Sequence, residues 1–215
     1  VIRYLLADLL RSQRFVPPFV LFAACIGVLY GGDPGNARPV YGVSTLLVFP
    51  LCAWLTVIVA NNEDPVQRRI TVAAVGGWPR MLGGLLGAGA VSGGVLVLLA
   101  VALPPLINFH HPYQLDDLVL ALVAHLISLC VGLALGLVCS RPLIPTTGWS
   151  LLAVLGACLV LIVSNDVPPV GPTAKLLFDP ARPPATLFLL GQGAVALAVL
   201  LLALGACHWL GRRRG

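Results

Sequence analysis

The ten residues Asn61–Ile70 read NNEDPVQRRI and carry four formal charges, on Glu63, Asp64, Arg68 and Arg69. The flanking runs 40–60 and 81–103 contain no Asp, Glu, Lys or Arg. A central Arg or Asp costs about 2.5–3.5 kcal/mol in a bilayer, so burying this stretch in hydrocarbon would cost on the order of 10–15 kcal/mol. NNEDPVQRRI is therefore a connector outside the hydrocarbon, and the fold turns on what the two runs beside it are.

Of the 215 residues, 59% are hydrophobic and 10% charged, with a mean hydropathy of +0.98. Soluble domains carry about 25% charged residues, so the surplus of apolar side chain must face lipid. Six runs lack charge: 15–30, 40–60, 81–103, 118–139, 148–164 and 186–210. A spanning helix needs about 17–25 apolar residues, and the first and fifth runs are the shortest. A transmembrane barrel would alternate in segments of about 10 residues, which these runs do not. The expectation is an all-α integral membrane protein, one transmembrane domain over 1–215 with six spans. The formal charge of +5 sits beside the spans and so points to a membrane surface, with no nucleic acid as partner. A charged 14-residue segment precedes the first run and no small-residue cleavage site follows it, so no signal peptide is expected. The six cysteines all fall within runs, without metal spacing, and read as small hydrophobes. One Lys against twelve Arg, with abundant Ala, Gly and Pro, suggests a GC-rich bacterial genome.

Lys and Arg orient the spans. With the N-terminus inside, the inner segments hold ten of the thirteen cations: Arg3, Arg11, Arg14, Arg68, Arg69, Arg80, Arg141 and Arg212–Arg214. The outer segments hold Arg38, Lys175 and Arg182. Both termini are thus expected inside, and NNEDPVQRRI with them.

Within that connector Asp64 suits a helix N-cap, Pro65 the first helical position, and Asp64-x-x-Gln67 a capping box. Gly76-Gly77 supplies a stop after about Val75. Val66, Ile70, Ala73 and Ala74 share one face, with Arg68 and Arg69 away from it, and Trp78 marks the membrane interface. The N-terminus repeats the theme. Ile2, Leu5, Leu6, Leu9 and Leu10 line one face, Arg3, Arg11 and Arg14 lie largely on the other, and Pro17-Pro18 opens the first span after a sharp turn. The third run carries small-xxx-small pairs, Gly83/Gly87, Gly89/Gly93, Ala88/Ser92 and Ala90/Gly94, and the fourth adds Gly132/Gly136. Such pairs let helices approach closely where lipid gives no drive for association; packing within the subunit is their first reading.

Ser44, Thr45, Thr56, His125 and Gln192 are polar residues inside runs that could line a path or satisfy one another. Ser128 belongs with them, and His125 is the ionisable group deepest in a run. His110-His111 with Asp116-Asp117 lacks a matching second ligand set and reads as a solvated loop, so no metal site and no catalytic residue is expected.

An N-terminal interfacial helix within VIRYLLADLLRSQRFVPP (1–18), six spans, both ends inside and an amphipathic helix between spans two and three resemble the permease subunit of bacterial type 2 ABC transporters. The spacing of Glu63, Arg68, Arg69, Gly76 and Arg80 belongs to the same likeness, which covers nearly the whole chain. The resemblance implies that Glu63, Asp64, Gln67, Arg68, Arg69 and Arg80 form a coupling helix docking on an ABC ATPase, with the Arg3–Arg14 helix contributing. The chain has no G-x-x-x-x-G-K-[ST] loop, so ATP and Mg would be bound by a separate ATPase, two copies serving two permeases, identical or related. The location implied is the bacterial cytoplasmic membrane, and the activity is export of a hydrophobic or amphipathic substrate. The family also places interfacial or re-entrant elements between spans five and six. Residues 165–185, NDVPPVGPTAKLLFDPARPPA, hold that position, but their prolines argue against a helix.

An ion-coupled secondary transporter is the alternative. Such proteins place carboxylates near the midplane, and here all eight acids fall outside the runs. An intramembrane enzyme lacks G-x-S-x-G and a carboxylate pair within a span; a membrane scaffold stays open.

Overall fold

The computed structural model describes residues 1–31, 37–107, 113–141, 143–144, 146–164, 167–179 and 186–214. They form α1 (Ile2–Ser12), α2 (Val16–Tyr30), α3 (Ala37–Asn61), α4 (Pro65–Ala74), α5 (Trp78–Ile107), α6 (Leu115–Val138), α7 (Thr147–Ser164), α8 (Val170–Phe178) and α9 (Thr186–Arg214). Helices α3, α5, α6, α7 and α9 are each long and apolar enough to cross a membrane. The sixth span depends on α2, which qualifies only together with α1, from which it is bent by 76°. At 15 residues α2 is about 22 Å long, short of a hydrocarbon core of about 30 Å. The architecture is that of an all-α, multi-pass membrane protein.

Helix ends lie within a few residues of the charge-free runs. They extend past them because helical hydrogen bonding continues through charged residues at the interface: Arg80 is inside α5, and Asp116 and Asp117 occupy the first turn of α6. The turn between α1 and α2 uses Gln13 in the left-handed region (φ 54), its N–H bonded to the Leu10 carbonyl. Pro17 and Pro18 then sit in the first turn of α2, where no intrahelical partner awaits their missing N–H groups.

Helices α3 and α6 form the centre. In α3, 72% of the spanning window is buried, against 17% in α7 and in α9, so the last two present most of their apolar surface outward. Gly132 and Gly136 bring α6 onto α3: a Cβ on Gly132 would lie 2.8 Å from the Phe49 carbonyl, and one on Gly136 2.6 Å from that of Ala53. On α5, Gly93 faces Leu129 and Cys52, while Gly84 and Gly87 receive Val1 and Ile2 of the α1 region. These small-residue faces pack within the chain, whereas Gly83 and Gly94 face open space.

The proline argument against a helix in 165–185 fails for its central part. Helix α8 forms there and buries Val170, Gly171, Thr173, Ala174, Leu176 and Leu177. Pro168 and Pro169 precede its first residue and Pro172 falls in its first turn, all positions where no N–H is required. It covers one end of the α3–α6 pair. A Cβ on Gly42 would meet the Phe178 ring at 2.9 Å, and Arg38 of α3 pairs with Asp117 of α6 at the same end.

The opposite end gathers α1, α4 and the close of α9. Tyr4 contacts Gln67 and Trp78 Nε1 donates to the Cys207 carbonyl at 3.1 Å. Both terminal helices therefore reach the same end of the bundle as the charged connector.

Candidate functional site

Helix α4 begins where the sequence places it. The Asp64 carboxylate accepts from the Val66 N–H at 2.7 Å and Pro65 is the first helical residue. Its end is also as expected: Gly76 (φ 83) and Gly77 (φ 114) carry the chain through conformations that favour glycine. Their N–H groups bond the carbonyls of Ala73 and Val72, and Arg80 Nη1 donates to the Val75 carbonyl at 3.3 Å. The expected capping box is not made: the Asp64 bond goes to Val66, one residue before Gln67. Gln67 turns to Tyr4 of α1, donating to its hydroxyl, and does not reach back to Asp64.

The sequence pattern separates two faces of α4, and the structure decides which one turns outward. Val66 and Ile70 are each 65% exposed, and Ala73 and Ala74 are exposed beside them. The apolar face is therefore outward, with Arg69 also exposed. Arg68, expected on the docking surface, turns inward. Its Nη1 donates to the Ala60 carbonyl at 2.5 Å, its Nη2 lies 3.5 Å from the Arg141 carbonyl, and the guanidinium sits 5.3 Å from the Trp78 ring centroid. Burial pushes the Arg68 guanidinium below its ordinary value; Glu63 opposes that shift and Arg141 adds to it. Being an arginine, it stays charged.

Glu63 departs from expectation in the same way. It is 3% exposed and accepts from the Thr71 hydroxyl at 2.8 Å, so it holds α4 from within. Arg141, between α6 and α7, donates from Nη1 to the Glu63 carbonyl at 3.2 Å and from its backbone N–H to Asn61 Oδ1 at 3.1 Å. Asn61 Nδ2 donates to Ser150 Oγ of α7 at 3.0 Å. The physical cause is the end of α3. The last four carbonyls of a helix lack intrahelical donors, and buried carbonyls must be paired. Arg68 supplies donors for the end of α3 and reaches toward the α6–α7 connection, while Trp78 ties α5 to α9. Asp64, Gln67, Arg69 and Arg80 remain exposed. Sequence reasoning missed Asn61, Thr71 and Arg141 as parts of this hub; a lone arginine in a short loop beside span ends was the available signal.

The polar span residues divide into separate groups. His125 Nδ1 lies 2.7 Å from the Ala121 carbonyl, which can only accept, so Nδ1 carries the proton. Nε2 then accepts from Ser44 Oγ at 3.0 Å. Thr45 donates to the Tyr41 carbonyl at 2.7 Å and Ser128 to the Thr45 carbonyl at 3.0 Å. His125, Ser44, Thr45 and Ser128 are each 0% exposed. Thr56, twelve residues and about 18 Å further along α3, bonds the Cys52 carbonyl against Gly89 and Gly136. Gln192 on α9 is not brought to any of these. Its buried carbonyl oxygen has no hydrogen-bond partner among the described residues. Of the five, Ser44, Thr45, Thr56 and His125 are buried in the α3–α6 packing, where they bond one another or the backbone. Of the loop quartet, His110 and His111 lie outside the described residues, and Asp117 is engaged by Arg38.

Comparison with protein-family models, with curated proteins and with solved structures finds no match.

Proposed function

We propose that this chain is the membrane permease subunit of an ATP-driven exporter, and that α4 is where a separate ABC ATPase docks. One observation carries the reading. A short, doubly capped helix at the cation-rich end of the bundle turns Arg68 and Thr71 inward and leaves Val66, Ile70, Ala73 and Ala74 outward. An apolar helix face beside an exposed arginine suits insertion into a protein cleft. The buried hub behind it supplies the stiffness that force transmission needs. By the positive-inside rule that end is cytoplasmic, where ATP is available.

The docking residues accordingly shift from the earlier set. Val66, Ile70, Ala73 and Arg69 make contact, Asp64, Gln67 and Arg80 border them, and Glu63 and Arg68 position the helix. Two permeases would work with two ATPases, which bind ATP and Mg, and the substrate would be hydrophobic or amphipathic. The test is co-expression with ABC ATPases from the same genome, followed by affinity isolation and vesicle transport. The Val66→Glu/Ile70→Glu variant is expected to fold, to lose the ATPase from the isolated complex and to lose ATP-driven transport. Full retention of both by that variant removes α4 from the interface.

A further inference from the structure

A second surface at the same end bears on a different partner. Helix α1 buries Leu5 and Leu9, each 3% exposed, among Ile58, Met81, Leu85 and their neighbours. Its remaining surface mixes apolar and cationic residues. Ile2 is 41% and Leu10 61% exposed, and Arg3, Arg11 and Arg14 are exposed among them. Among the described residues none of these three arginines has a side-chain hydrogen bond or ion pair within the chain. The nearby acids are already engaged. Asp8 accepts from Asn62, Glu63 is buried with Thr71, and Asp64 caps α4. Val16, Val20 and Leu21 lie just past the bend on α2, all exposed, on a helix whose composition suits acyl chains.

We propose that α1 is a recognition surface for anionic phospholipid headgroups. The 76° bend lays α1 close to the membrane plane when α2 crosses it. Leu10 and the exposed part of Ile2, which also packs on Gly87, then face the acyl boundary, while Arg3 and Arg11 stand at phosphate level about 12 Å apart along α1 and Arg14 in the turn just past its end. Guanidinium groups present several donors in a fork that matches phosphate oxygens. What separates α1 from α4 is that its exposed apolar surface continues past the bend along α2, through Val16, Val20 and Leu21, and that continuity with an apolar helix favours lipid over a protein cleft. The inference does not require α4 to dock an ATPase.

The test uses the whole chain reconstituted in phosphatidylcholine bilayers containing spin-labelled phosphatidylglycerol or spin-labelled phosphatidylcholine as probe. An arginine at an anionic surface contributes about fivefold in association. The wild type is expected to prefer the phosphatidylglycerol probe by at least that single-arginine factor, and R3Q/R11Q/R14Q to lose most of that preference. R3K/R11K/R14K, which keeps the charges, is expected to retain most of it, and about 0.5 M salt to weaken it. Equal association of the two probes with the wild type overturns the proposal. So does an undiminished preference in the glutamine variant, including the case in which that variant instead loses a co-isolated ATPase. If the lysine variant is as impaired as the glutamine variant, charge is not the determinant and the proposal falls.

Discussion

Replacing Arg68 by alanine tests whether α4 is held from inside by one guanidinium. The bond to the Ala60 carbonyl joins a charged donor to a buried acceptor, a class worth about 1.5–3 kcal/mol. The contact with the Arg141 carbonyl, at 3.5 Å, adds little. Position over Trp78 contributes about 0.5–2 kcal/mol. Releasing a partly desolvated charge returns some of this, so the net loss should be about 2–3 kcal/mol. Arg68→Lys retains the charge but lacks the planar fork and should lose roughly half as much. Arg69→Ala, at an exposed position on the same helix, should stay within about 0.5 kcal/mol. Unfolding of the purified chain from mixed micelles, followed by tryptophan fluorescence, reads all three. A second readout separates local from global effects: a cysteine at Ile70 should become more reactive to mobile labels, or more dynamic when spin-labelled, in the Arg68→Ala background. The reasoning is refuted if Arg68→Ala is no less stable than Arg69→Ala and the Ile70 probe is unchanged.

Two further outcomes follow from close approaches. Gly136→Ala places a Cβ 2.5 Å from that of Thr56 and 2.6 Å from the Ala53 carbonyl, so α6 must move off α3 at a cost of about 1–3 kcal/mol. Gly156→Ala, with open space at its Cβ, should be near neutral in the same unfolding assay. Gly211→Ala brings a Cβ within 2.1 Å of Trp78 Nε1. It should displace the indole, break its bond to Cys207 and red-shift the tryptophan emission, with Gly205→Ala as the silent control.

The α4 region shows why some of this was legible and some was not. Asp64, Pro65 and Gly76-Gly77 act on the backbone of their own neighbours, so cap, start and stop could be read from adjacent residues. Gln67 could not be assigned the same way, because the choice between its own helix terminus and Tyr4 depends on α1 arriving beside it. The prolines of 165–185 misled for a related reason. Their number was weighed, whereas their places relative to α8 decide whether an N–H is missed. Ser44 and His125 are 81 positions apart, and nothing local to either shows that they meet.

Taken alone, the sequence determines that the chain is helical and membrane-embedded, where five of its long apolar helices lie, and where the charged connector's helix starts and stops. Those properties follow from transfer free energies and from backbone bonds that close within a few residues. Only the tertiary structure decides which side of α4 faces out. An amphipathic pattern states that two faces differ, not which is buried. Here the open carbonyls ending α3 and the polar groups of the α6–α7 turn need donors more than the bundle needs another apolar contact. Arg68 therefore goes in, Thr71 lies on the same side where it meets Glu63, and Val66 and Ile70 are left outward.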